Sequence, residues 1–181
     1  MMNFQYGKSM RKTIETKRLI LRPFDISDAQ KVYDNWTSDD EVSKYVTWNA
    51  HQSIEDTKAY LTSVINDYSK EERICFGIVF KEDNELIGAI DVCGYLDGIP
   101  VIGYCLSRKY WNRGIMSEAN QTLVDFLFSL GHKKIIIDAL IENIGSNRVI
   151  QKCGGVFEKT YEEFIPNKNK VVQINRYIIN K

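Results

Sequence analysis

The strongest constraint on this chain is a stretch in its second half where an apolar strand pattern turns abruptly into an amphipathic helix. Val101 to Leu106 reads as a strand, and Tyr110-Trp111-Asn112-Arg113-Gly114-Ile115-Met116-Ser117-Glu118-Ala119 follows within a few residues. From Met116, apolar residues recur at Ala119, Leu123, Phe126, Leu127 and Leu130, the spacing of one helical face. Gly131 then supplies a stop. The first N–H groups of a helix have no intrahelical partner, and its dipole adds about half a positive charge there. A loop holding a glycine and a cation in front of such a terminus suits an anion. At Gly114 a phosphate meets no Cβ on its way to the backbone. An ordinary strand-to-helix turn uses the same glycine, so this segment alone leaves both readings open.

A second strand–turn–helix unit follows. Lys134 to Ile141 is strand-like and leads into Glu142-Asn143-Ile144-Gly145-Ser146-Asn147-Arg148-Val149-Ile150-Gln151-Lys152-Cys153-Gly154-Gly155. Ser146 is placed to cap a short helix and Gly154 to end it, with Val149, Ile150 and Cys153 as the buried stripe. The ordered pair of segments resembles the acyl-CoA-binding motifs of the GNAT superfamily of N-acetyltransferases, in particular its ribosomal-protein N-terminal acetyltransferase branch. The run Tyr110 to Ala119 carries the first motif; Asn143, Ser146, Arg148, Val149, Lys152 and Gly154 carry the second. Glu15-Thr16-Lys17-Arg18-Leu19-Ile20-Leu21-Arg22-Pro23-Phe24 resembles that branch's first strand, so the likeness spans residues 10–180.

The resemblance implies an α/β fold: a central mixed sheet of α+β character, helices on both faces, and one splayed strand pair. That pair would be the strand ending at Leu106 and the one beginning near Lys134. Splaying leaves backbone groups unpaired, and the pantetheine arm of acetyl-CoA, the implied co-substrate, would complete them as a surrogate strand. Carried over by position, Cys105, Leu106 and Ser107 give the main-chain edge. Asn112, Arg113, Gly114, Ile115, Met116 and Ser117 meet the pyrophosphate, the Arg113 guanidinium adding a forked cation. Asn143 meets the pantetheine, and Arg148 and Lys152, four apart on one helical face, meet the nucleotide end. The implied activity is acetyl transfer to a primary amine, on a protein N-terminus or a small molecule; a non-catalytic acyl-CoA-binding or sensing module is the competing reading.

Many members of the family place a tyrosine seven positions after the asparagine, where this chain has Ile150. It also has no carboxylate within Val101 to Leu106, so no catalytic acid or base is readable. Asp91 and Asp138 are the nearest acids by strand order, and a surface or edge position is the expectation for each. The acceptor side is expected from the loop between the first two helices and from the C-terminal hairpin. Glu41, Trp48 and His51 are its candidates, in a stretch where Asp39 and Asp40 precede Tyr45. Acids beside aromatics suit a cationic amine, and a charged loop over a small aromatic core accounts for the same letters.

Length and composition narrow the rest. A chain of 181 residues is long enough to bury about 70% of its unfolded surface as one domain. Residues 11–181 read as a single N-acetyltransferase domain behind a polar, aperiodic leader at 1–10, with Met1 and Met10 both candidate starts. Lys plus Arg balance Asp plus Glu at 24 each, which gives no basic field for nucleic acid. No apolar run approaches the ~20 residues of a membrane span, and residues 1–10 lack the core of a secretory signal; a cytoplasmic location is the expectation. Cys75, Cys93, Cys105 and Cys153 lie in or beside apolar runs without CxxC spacing and read as buried thiols. With two histidines, no metal site is expected. The sequence leaves the oligomeric state open between monomer and homodimer. Neither GxxxxGK[ST], GxGxxG nor GxSxG occurs, which speaks against nucleotide and serine hydrolases. The element order reads strand, two helices, three strands, helix, strand, helix, two strands.

Overall fold

Apolar runs decide the centre of the sheet. Cys75–Phe80 is buried at every position, which requires cover on both faces. The computed structural model describes residues 12–70 and 73–181 and places this run as the third of eight strands. These are β1 (Ile14–Glu15), β2 (Leu19–Arg22), β3 (Cys75–Phe80), β4 (Glu85–Leu96), β5 (Ile99–Leu106), β6 (Lys134–Leu140), β7 (Val156–Ile165) and β8 (Lys170–Asn180). The spatial order is β1-β2-β3-β4-β5-β6-β8-β7. Every neighbouring pair is antiparallel except β5 and β6. The expected leader and the choice of start lie outside the described residues. No helix among them is long and apolar enough to cross a membrane.

Two helical layers cover the faces. On one, α4 (Ile115–Ser129) and α5 (Ile144–Lys152) bury Leu123, Leu127 and Ile150 against Phe76, Ile78 and Ile90. On the other lie α1 (Ala29–Val32), α2 (Asp40–Ser43) and α3 (Ile54–Asp67), and Trp36, Leu61 and Val64 meet Cys75, Val79 and Ala89. Asp25 opens the first helical run and is locked with Asp28 in a reciprocal cap; Arg22 grips Asp28 with two bonds of 2.8 Å. Ser53 and Asp56 form a second reciprocal cap at α3, satisfying donors that a helix start leaves free.

Local structure departs from the expected element order first at β1, which makes eight strands where seven were expected. Asp97-Gly98, at φ 51° and 78°, is a two-residue hairpin turn whose left-handed geometry matches strand twist. Strands β4 and β5 therefore run right up to it. A register shift between Val92 and Gly94 turns Cys93 outward, so this thiol is exposed rather than buried. Finally, α5 begins one turn earlier than expected, and its cap is Asn143, not Ser146: the Asn143 side chain accepts the Ser146 N–H at 3.0 Å.

Ser53→Ala removes one half of the α3 cap and should lower stability by about 1 kcal/mol. Urea denaturation should show a lower midpoint at an unchanged m-value; an unmoved midpoint would mean that Asp56 alone secures this turn.

Candidate active site

Strands β5 and β6 touch only briefly. Their register pairs are Val101↔Ile136 and Ile102↔Ile137, after which they part. Each is held away from the other. Ser107 N–H bonds Ile87 C=O at 2.8 Å, keeping the end of β5 on β4, while β6 stays paired with β8 to Leu140↔Ile174. Bonded and non-bonded pairs alternate along an antiparallel ladder. With Ser107 bonded to β4, Gly103 and Cys105 are bonded there too, and Tyr104 and Leu106 turn their main-chain groups into the opening. The free edge is therefore Tyr104 and Leu106 rather than Cys105 and Ser107. The Leu106 carbonyl is already taken by Trp111 Nε1 at 2.7 Å.

Beyond β5 the chain makes a short turn at Arg108–Tyr110 and enters α4. Gly114, at φ 69°, stands at the helix start in the left-handed conformation, and Asn112 at φ 59° shares it. The first intrahelical acceptor is Gly114 C=O, bonded by Glu118 N–H, so the N–H groups of Ile115, Met116 and Ser117 have no intrahelical partner. Buried Ile115 and Met116 side chains anchor them from below. The Arg113 guanidinium lies 5.1 Å from the Phe80 ring centre and 5.3 Å from that of Tyr110, facing Glu82 at 3.9 Å. A different arginine reaches the loop backbone. Arg18 donates through Nη1 to Arg113 C=O at 2.9 Å, and its Nη2 lies 3.7 Å from where a Gly114 Cβ would stand. Glu118 holds it there, accepting Arg18 Nε at 2.7 Å, Arg18 N–H at 3.1 Å and the Thr16 hydroxyl at 2.5 Å. Burial pushes the Glu118 carboxyl up, but the bonds from Thr16 and Arg18 outweigh it and leave it below its ordinary value.

Across the opening, Asn143 Oδ1 serves the α5 cap, which frees the Ser146 hydroxyl to pair with Tyr104 Oη at 2.8 Å. Asn147 crosses to β8, where its Oδ1 accepts Tyr177 Oη at 2.7 Å. Burial pushes the Tyr104 phenol well up, against the pull of Ser146. Ile150 is fully buried and offers nothing to the opening. Arg148 and Lys152 are exposed on the outer side of α5.

The opposite face of the sheet corrects the reading of both aspartates. Asp91 sits on central β4, directly across from Gly103, and its Oδ2 lies 3.2 Å from Arg73 Nη1. Asp138 is bound twice by Arg176, at 2.9 and 2.7 Å, and also accepts the Tyr161 hydroxyl at 2.9 Å. Neither is a free surface acid, since inner strands carry both. Trp48, His51 and Tyr60 form a wall, with ring centres 5.9 Å and 6.1 Å apart in that order. Burial pushes the His51 imidazole down, only partly opposed by Asp56, and its Nδ1 pairs with the Thr57 hydroxyl at 2.7 Å. Glu41 is exposed beside Lys44 on α2, while Asp39 caps that helix and binds Arg108. Of the expected acceptor cluster, Trp48 and His51 thus come together, joined by Tyr60 from α3, while Tyr45 lies under Lys44 instead; of its acids, Glu41 faces Lys44, and Asp39 caps α2 and binds Arg108.

Residues 18–156 match the acetyltransferase (GNAT) domain model. The chain belongs to the GNAT family. It is 33% identical over 159 residues to the uncharacterized N-acetyltransferase YnaD of Bacillus subtilis (strain 168), covering 87% of this chain and 90% of that one. The crystal structure of a GNAT-family acetyltransferase from Bacillus anthracis superposes with a TM-score of 0.82 at 29% identity, over 93% of this chain and 98% of the other. RimL, a ribosomal L7/L12 alpha-N-protein acetyltransferase solved with coenzyme A, shares the fold at a TM-score of 0.82 and 20% identity, over 93% and 98%. This GNAT chain is accordingly an acetyl-CoA-dependent N-acetyltransferase.

Its donor side fits that co-substrate by its own geometry. The parted strands turn the Tyr104 main-chain groups and the Leu106 N–H into the opening, an edge that a ligand with amides can complete, and the Gly114 terminus leaves three amides of the kind an anion takes. Arg18 escaped the sequence reading because its nearness to Gly114 depends on β1 and β2 packing beside α4. Glu118, four residues after Gly114, was the visible half of that contact.

In this GNAT loop Gly114→Val should abolish coenzyme A binding while sparing the fold, because a branched Cβ opposes φ > 0 and blocks phosphate approach. Normal calorimetric binding by a folded variant would exclude the loop as the anion site. Arg18→Gln should weaken coenzyme A by about tenfold, equivalent to about 1.4 kcal/mol, and leave pantetheine affinity unchanged; an equal loss for both ligands would place the effect in the fold.

Proposed function

We propose that this enzyme acetylates a primary amine presented from the Trp48–His51–Tyr60 face, either the N-terminus of a protein of the ribosomal type or a small amine. The observation that carries this reading is the parting of β5 and β6 beyond Ile102 and Ile137, in a sheet covered by α4 and α5 on one face and α3 on the other. A thioester held by its pantetheine along Tyr104 and Leu106 would meet an amine arriving from the other side. Holding the two in register supplies much of the rate. The amine attacks the carbonyl carbon, and a main-chain N–H of β5 polarises the carbonyl oxygen. The C–S bond then breaks and its electron pair leaves on sulfur.

Magnitudes decide what the Tyr104–Ser146 pair does. A phenol pushed above its ordinary value of about 10 does not give its proton to a thiolate whose own pKa is about 8.5. The pair donates a hydrogen bond to the departing sulfur, and the proton that sulfur keeps comes from the nitrogen as the adduct collapses.

Acetyl-CoA at about one hundred times its Kd should stabilise the fold by about 2.7 kcal/mol, read as a rise in Tm. Thiol release should then appear in a screen of small amines and ribosomal-protein N-terminal peptides. A Tm rise without thiol release from any acceptor would favour the binding-module reading; no Tm rise would remove the donor site as well.

A further inference from the structure

The α3 face of β5 carries an acid that the donor site does not use. Gly103 is the first residue after the last β5–β6 pair, so it stands where the strands begin to part. It has no side chain, and what flanks the vacant Cβ direction is Cys93 Sγ at 3.1 Å and Asp91 Oδ1 at 3.3 Å. Asp91 is therefore aimed across the strand at the head of the opening. Its side chain is 23% exposed, and its Oδ2 is paired with Arg73. Its Oδ1 has no partner among the described residues, which leaves lone pairs for an incoming N–H. We propose that Asp91 is the base that takes the proton from the acceptor ammonium, working from the glycine at the head of the opening. This rests on the acetyltransferase reading above.

The groups facing Asp91 set its charge. Tyr60 comes from α3, Cys75 from β3, Cys93 from β4 and Cys105 from β5. Burial pushes Tyr60, Cys75 and Cys105 up, Cys105 to about 12, so each is neutral near pH 7; Cys93, the exposed thiol, donates to Val101 C=O at 3.3 Å and is raised as well. Arg73 is the charged neighbour. Burial pushes the Asp91 carboxyl up to about 6, against the opposing pull of Arg73. A base in that range is ionised at neutral pH yet strong enough to share a proton. Asp138, the other acid on this face, is committed to Arg176 and Tyr161.

The step balances. An N–H bond of the ammonium breaks and its proton goes to Asp91 Oδ1, leaving the nitrogen lone pair to form the C–N bond. The C–S pair departs on sulfur, which takes a second proton from the adduct nitrogen. Asp91 returns the first proton to water. One ammonium and one thioester thus give one amide, one thiol and one released proton.

The test uses an amine that the wild type turns over. Asp91→Asn should lower kcat/KM by about 10²–10⁴-fold at neutral pH, with the acetyl-CoA-induced rise in Tm retained. The wild-type rate should fall on the acid side near pH 6, and Asp91→Asn should lack that limb. Arg73→Gln removes the guanidinium that favours the carboxylate, so its limb should move to higher pH. This second variant keeps the test open if Asp91→Asn does not fold. Wild-type rate in a folded Asp91→Asn, or an unmoved limb in Arg73→Gln, overturns the proposal and leaves the acetyltransferase reading standing. A wild type that releases no thiol with any amine overturns both.

Discussion

Everything functional in this molecule depends on two strands that stop pairing. Parallel β5 and β6 are joined at Val101–Ile102 and Ile136–Ile137 and nowhere beyond. Each buried, unpaired peptide group costs free energy comparable to a lost hydrogen bond, so such a gap persists only if other forces hold its sides. Those forces are visible. One side is the block β1 to β5, extended past the strand by the Ser107–Ile87 bond and by Tyr110, whose ring packs on Phe80 at 5.7 Å and whose hydroxyl binds Asp83. The other is β6, β8 and β7, tied by seven register pairs between β6 and β8 and by the Asp138–Arg176 bridge. Two cohesive half-sheets meet at a short seam, and a ligand with amides in series is the natural completion of what the seam leaves open.

The anion end poses an electrostatic problem that the chain resolves with distant residues. Glu118 lies in the first turn of α4, where its charge favours the helix dipole but opposes a bound phosphate. Arg18 and Thr16 occupy both of its oxygens. The paired carboxylate then fixes the β1–β2 turn against the loop, and the guanidinium brings a positive charge beside Gly114. Arg113, the cation that the sequence offers first, is engaged with aromatic rings instead. The guanidinium beside Gly114 thus belongs to a residue 96 positions before it by chain number.

Much of this was legible in the sequence, and the boundary of legibility has a physical cause. The strand expected over Lys134 to Ile141 ends within a residue of β6, the strand expected over Val101 to Leu106 shares its end with β5, and helix α4 carries the expected face from Met116, because apolar periodicity is a local signal. The splayed pair came from the ordered motifs. Asn143 displaced Ser146 as the cap because both residue types suit that position, and one turn of helix decides between them. Asp91 and Asp138 were misplaced because strand order, not chain order, makes β4 and β6 interior. The placing of Arg18 beside Gly114, and of Asp91 across from Gly103, exists only once the sheet is assembled.

The acceptor side shows how the two half-sheets are kept in relation. The chain between α2 and α3 belongs to the first half, and the turn between β7 and β8 to the second. They are laced together: Asn49 Nδ2 donates to Asn167 C=O at 2.8 Å, Asn167 Nδ2 to Thr47 C=O at 3.3 Å, and Lys168 Nζ to Ser43 C=O at 2.8 Å. Three bonds to main-chain carbonyls specify a distance without specifying side chains at the partner positions. The seam at Ile102 and this lacing therefore act as two fixed points, and the opening lies between them. Trp48 and His51 stand on the laced loop itself, so the aromatic wall proposed to face the acceptor is located by the same contacts that tie the two half-sheets. Donor register and acceptor position are in this way properties of one framework, and a change in the β7–β8 turn would be felt at both.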